Sequence, residues 1–223
     1  DLYQTIAEVC DELVVGNLHD QFPIDMIQGG AGTSVNMNAN EVIANRVLEK
    51  LGKEKGDYQF CSPNDHINLS QSTNDAYPTA LKMALLHMNQ DLVEKLKKTI
   101  AAFREKGKEF HDVIKMGRTQ LQDAVPIRLG QVFHGYASMV SRDRKRIEKA
   151  HREMYTVNLG GTAVGTAINV SDSYFYKIVP NLEKLTGYPL KQAEDLFDAT
   201  ENLDGFVAVS GVVKTCAVDL SKM

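Results

Sequence analysis

Small hydroxyl and amide side chains gather at three places in the chain: around Thr33, at Ser72-Thr73-Asn74, and at Thr119-Gln120. Such groups donate hydrogen bonds without carrying charge. The 72–75 stretch precedes a long apolar-periodic segment, and a helix start there adds unpaired backbone N–H groups and a partial positive charge. Neutral donors at helix starts suit a small dianion, whose charge is met by hydrogen bonds and helix dipoles. A competing use is plain capping, since Ser72, Thr73, Asn74 and Asp75 are the residue types that accept the first N–H groups of a helix. The histidines His19, His66, His87, His111, His134 and His151 form no HxxxH or HExxH pair, so no metal site is expected.

The elements that must position these donors follow from apolar spacing. Leu2, Ile6, Val9 and Leu13 fall at helical intervals, with Gly16-Asn17 as the stop. Residues 21–33 read as a loop with Pro23 and the cluster Gly29-Gly30-Ala31-Gly32, where glycine serves either a close backbone approach or an ordinary turn. A short helix runs through Val42, Ile43, Val47, Leu48 and Leu51. Leu81, Leu85, Met88, Leu92, Leu96, Ile100 and Phe103 mark a long helix to about Glu109. Residues 112–125 are expected as an inter-helix loop, with Pro126 in the first turn of the next helix, whose stripe includes Leu129, Phe133, Val140 and Ile147. Small residues from Leu159 to Thr166 break the pattern. They lack the Gly-Lys-Ser/Thr ending of a phosphate loop. Helices at about Tyr174 to Leu185 and Leu203 to Met223 complete an all-α reading.

A chain of 223 residues can bury a substantial core as one large or two smaller domains. A net charge of -4 without a basic run gives no hint of nucleic-acid binding, and no apolar stretch is long enough for a membrane span. Three cysteines, Cys10, Cys61 and Cys216, are odd in number and share no CxxC spacing, which argues against a disulfide framework and points to a reducing cytoplasm. The chain opens on one helical pattern and stops inside another, so it reads as a fragment.

Ser70-Gln71-Ser72-Thr73-Asn74-Asp75 resembles the SQSxND motif of the aspartase/fumarase superfamily. Gly117-Arg118-Thr119-Gln120-Leu121-Gln122-Asp123-Ala124-Val125-Pro126 is similar to that family's second motif, and Ala31-Gly32-Thr33-Ser34-Val35-Asn36-Met37-Asn38 to its SGTxxNMN element. The three occur in the family's order, and the resemblance covers essentially the whole chain. It implies residues 1–70 as part of a small helical N-terminal domain and 71–223 as part of a long-helix bundle. It also implies a homotetramer with active sites shared between subunits, no redox cofactor, and β-elimination on a small dicarboxylate to give fumarate. By motif matching, Thr33, Ser72, Thr73, Asn74, Thr119 and Gln120 would bind substrate. The family's base is a serine in a Gly-Ser-Ser loop; no such stretch exists here, so no catalytic residue is assigned in this chain, the serine is expected downstream of Met223, and the isolated chain is expected to be inactive. Gln120 after Thr119, and Thr73 between Ser72 and Asn74, resemble the aspartase branch, which removes ammonia from L-aspartate. The class II fumarase branch, acting on L-malate, and a non-catalytic helical scaffold are the alternatives. The family's second anion site uses His-Pro-Asn-Asp. Ser62 stands in the histidine's place, and that site is not claimed.

Overall fold

The computed structural model describes residues 1–27 and 29–223. Its helices are α1 (Leu2–Val14), α2 (Thr33–Lys50), α3 (Thr73–Glu109), α4 (Leu129–Ala150), α5 (Asp172–Thr186), α6 (Leu196–Glu201) and α7 (Asp204–Lys222). The all-α expectation holds, and the stripes picked out by three-and-four spacing lie on these helices, except that Leu51 is the C-cap of α2. The loop expected over 21–33 includes Gln28, which lies outside the described residues. The chain divides into two compact units: Asp1–Leu81 with Val157–Asn202, and Lys82–Thr156 with Leu203–Met223.

In the first unit, α1 and α2 bury Val9, Ala44, Val47, Leu48 and Cys61, with Leu2, Ile6, Ile43 and Ile67 packed alongside. Each fully buried aliphatic side chain contributes about 1.5–3 kcal/mol relative to exposure, so this stripe fixes the pair. Ion pairs flank it: Arg46 Nε to Glu12 at 2.8 Å, and Lys50 Nζ to Glu8 and Glu12 at 3.0 Å each. α2 begins at Thr33, well before the aliphatic stripe from Val42. Its first turns carry few aliphatic residues because they bury amides: Asn36 and Asn40 both bond Asn68.

The second unit packs Val93, Leu96 and Ile100 of α3 against Ala137, Val140 and Ile147 of α4 and Cys216 of α7. The stretch 112–125, expected as an irregular loop, is instead an antiparallel hairpin of β1 (Ile114–Thr119) and β2 (Gln122–Arg128), and Pro126 lies in β2 rather than in helix α4. Two physical reasons defeat the sequence reading. Gln120 and Leu121 form a two-residue turn with φ of 49° and 64°, the type I′ geometry usually announced by Asn-Gly or Asp-Gly. The strands also lack inside–outside alternation, because nearly every residue of both is exposed.

Candidate active site

The start of α3 is a reciprocal cap. Ser72 Oγ accepts the Asn74 N–H at 3.2 Å, and Asp75 Oδ1 accepts the Ser72 N–H at 2.9 Å. The capping reading therefore holds for Ser72 and Asp75. It does not use up Thr73 and Asn74, whose side chains bond elsewhere.

Asp75 also acts at a distance. It is fully buried, and its Oδ2 accepts the N–H groups of Gly160 (3.0 Å) and Thr162 (2.9 Å), binding the small-residue loop to the helix start. Asn74 Nδ2 donates to the Ala163 carbonyl at 2.7 Å, adding a second tie. A third follows from proline chemistry. Pro78 has no N–H, so the Asn74 carbonyl, four residues back, loses its helical partner. Asn158 Nδ2 takes that place at 3.0 Å and also reaches Thr200 Oγ1 at 3.0 Å. The loop is strained: Thr162, Ala167 and Asn169 adopt φ of 59°, 55° and 62°, and a Cβ on Gly165 would meet the Leu196 carbonyl oxygen at 2.4 Å. Thr162 Oγ1 and Asn158 Oδ1 are buried without a hydrogen-bond partner among the described residues.

The start of α2 lies against that of α3. Gly32, the N-cap of α2, has φ 90°, and a Cβ there would fall 2.3 Å from a Tyr77 ring carbon. Only glycine lets the Tyr77 ring lie on this turn. One turn further, Asn36 Nδ2 donates to Thr73 Oγ1 at 3.1 Å. Thr33, Ser72, Thr73 and Asn74 thus belong to two adjoining helix starts in the first unit, where both positive dipole ends collect. Thr33 and Asn74 are exposed; Ser72 and Thr73 are half-buried.

Thr119 and Gln120 belong to the second unit, as the last residue of β1 and the first of the hairpin turn, both exposed. Gln120 is held in the left-handed region, a costly conformation for a residue with a Cβ and one that accumulates at functional sites. Arg118 Nε reaches Asp123 at 3.0 Å across the hairpin.

The first-unit site is a set of neutral donors. Burial pushes the Tyr174 phenol above its ordinary range, and the charge of Asp75 adds to the rise. The phenol is thereby kept protonated and unsuited to take a proton at neutral pH. Among the described residues, no group of three or more His, Cys, Asp or Glu could hold a metal ion. The arrangement can bind and polarise an anionic oxygen; a group poised to remove a carbon-bound proton is not among these donors. The residues that the sequence reading missed are supporting ones. Asn36 stands inside a matched motif without a role, Asp75 is read only as a cap, Thr162 lies in the stretch 159–166, and Asn158 lies just before it with no role assigned. The signal available for Asn158 was Pro78, which had to leave one carbonyl unserved.

A family model described as Lyase matches residues 2–223. Aspartate ammonia-lyase of Helicobacter pylori (strain ATCC 700392 / 26695) is 55% identical over 218 residues, 98% of this chain and 47% of that protein. Aspartate ammonia-lyase of Bacillus subtilis (strain 168) is 50% identical over 220 residues, 99% of this chain and 46% of that protein. A solved fumarate lyase:delta crystallin from Brucella melitensis superposes with a TM-score of 0.95 at 51% identity, over 99% of this chain and 48% of that one. Class II fumarase from Schistosoma mansoni gives 0.91 at 33% identity, over 98% and 49%. The chain spans about half the length of the curated relatives it matches. With its three ordered motifs and the match over residues 2–223, the chain belongs to this lyase family, the aspartase/fumarase superfamily.

Proposed function

We propose that the full-length protein is an aspartate ammonia-lyase, eliminating ammonia from L-aspartate to give fumarate. The observation that carries this reading is the pairing of two helix starts, through Asn36–Thr73 and Gly32–Tyr77, into one cluster of neutral donors. Thr33, Ser72, Thr73 and Asn74 would hold the carboxylates and the leaving-group side of the substrate, and Thr119 and Gln120 are carried over as substrate-binding residues by their motif alone. As a proton leaves the carbon beside a carboxylate, that carboxylate gains charge as an enediolate-like oxyanion. Donors already aimed at it lower the barrier, each by about 2.7–4 kcal/mol when well placed. Gln120 favours ammonia over water as the leaving group's branch, since the family's fumarases carry histidine there and an amide does not titrate.

The base would be the serine of the family's Gly-Ser-Ser loop, a sequence absent from these 223 residues. In the assembled enzyme, residues 1–70 would belong to the N-terminal domain and 71–223 to the helical bundle of a homotetramer with shared sites. The three free cysteines support a reducing cytoplasm as the compartment.

The test is an ultraviolet assay for fumarate on the full-length protein, offered L-aspartate and L-malate separately, with ammonium measured in parallel. Fumarate and ammonium from aspartate are expected. Fumarate from malate alone moves the assignment to fumarase, and no turnover of either acid leaves the helical scaffold. The isolated chain 1–223 is expected to release no ammonium above a buffer blank; release would place the base among the donors named here.

A further inference from the structure

The direction of one proton in the site is dictated by a chain of amides behind it. The Gln71 backbone carbonyl can only accept, and it takes a hydrogen bond from Asn68 Nδ2 at 3.3 Å. Asn68 must therefore turn its Oδ1 the other way, where it accepts from Asn36 Nδ2 at 3.2 Å and Asn40 Nδ2 at 3.1 Å. Asn36 is thereby fixed with its NH2 group facing this cluster, and its second proton goes to Thr73 Oγ1 at 3.1 Å. The Thr73 oxygen is consequently an acceptor on its inner side. A hydroxyl has one proton, and this one is left to point away from Asn36; among the described residues no acceptor takes it.

A free threonine hydroxyl rotates and serves an ammonium as readily as a carboxylate. Here the polarity is set by a backbone carbonyl and handed through two amides. We propose that Asn36 is a positioning residue that holds Thr73 as an obligate donor toward the substrate. This inference rests on the reading of Thr73 as a substrate ligand. It adds a residue that touches no substrate, and it fixes the polarity of the Thr73 contact. Asn40, buried against the same Asn68 oxygen, keeps the relay from turning over.

The test is a double-mutant cycle in the full-length protein: parent, Asn36→Ala, Thr73→Val, and both together, read as kcat/KM for fumarate formation. Thr73→Val is expected to lose about a hundredfold, as removal of an oxyanion donor does, and Asn36→Ala about tenfold. The double variant should be no worse than Thr73→Val within about twofold, because Asn36 acts only through Thr73. Losses that multiply overturn the inference and leave Asn36 a structural residue. Asn36→Asp gives a second reading that loss of stability does not mimic. Its carboxylate accepts, draws the Thr73 proton inward and turns a lone pair on the substrate. Its activity relative to the parent should therefore rise as pH falls and the carboxyl regains a proton to donate; a flat ratio overturns the inference. The proposed activity fails separately. If Thr73→Val leaves aspartate turnover intact, the relay is wrong and the activity stands. If only malate is turned over, the reaction changes and the same cycle run on malate decides the relay. A parent inactive on both acids overturns both.

Discussion

Replacing Asp75 with alanine should release the 158–163 loop from the helix start. Asp75 Oδ2 receives two N–H groups, from Gly160 at 3.0 Å and Thr162 at 2.9 Å, at a carboxyl with no solvent exposure. Hydrogen bonds to charged groups contribute about 1.5–3 kcal/mol each, but two that share one oxygen are not independent, so about 3 kcal/mol is the reasonable joint figure. At 1.4 kcal/mol per decade, local opening becomes about a hundredfold more frequent. The assay is amide hydrogen exchange at Gly160 and Thr162, which reports opening of that loop rather than global unfolding. Asp75→Asn is the informative companion. Its amide oxygen can keep the two loop N–H groups while its NH2 faces the Ser72 N–H, so it should weaken the helix cap and largely spare the loop. Unchanged exchange at Gly160 and Thr162 in Asp75→Ala refutes the clamp, and means that water or the backbone takes over those N–H groups.

Two further outcomes follow from other contacts. Gly32→Ala should lower the melting temperature and cut activity, because its Cβ meets the Tyr77 ring at 2.3 Å on a left-handed turn; adding Tyr77→Ala should restore part of the stability, and its failure to do so removes the ring from the explanation. The α1–α2 ion pairs should make the first unit acid-sensitive. Hydrogen bonds from Arg46 and Lys50 hold the Glu12 carboxyl below its ordinary value of 4.5, so its contribution is present above that pH and lost as pH falls below it. The difference in urea midpoint between the parent and Glu12→Gln should therefore shrink from pH 7 to pH 3, and shrink again in 1 M salt at pH 7. A difference that persists at pH 3 contradicts the assignment.

What was legible in the sequence was what burial writes into it. Leu2, Ile6 and Val9 gave α1, and Leu92, Leu96, Ile100 and Phe103 gave the second half of α3, because a helix face that meets a core must repeat at three and four; earlier in the stripe Leu81 and Met88 are exposed, and Leu86 is the buried residue. The hairpin was illegible because its strands are exposed on both faces and its turn uses Gln120 and Leu121 where sequence signals ask for Asn or Gly. The donors Thr33, Ser72, Thr73 and Asn74 were found through their motifs. Their supports were not, since Asn36, Asp75 and Asn158 act through contacts 37, 85 to 87 and 84 residues away in the chain. No local rule carries such distances.

The reach from Asp75 to Gly160 also has a meaning in time. A ribosome adds about 5–20 residues per second, so the α3 start leaves it several seconds before the loop that locks it exists. During that interval Ser72 and Asp75 have only each other, and the Asp75 oxygen meant for Gly160 faces water. The helix start thus carries its own cap before its long-range partner exists. It is completed only when a distant stretch of chain arrives, which makes the order of synthesis part of how this site comes into being.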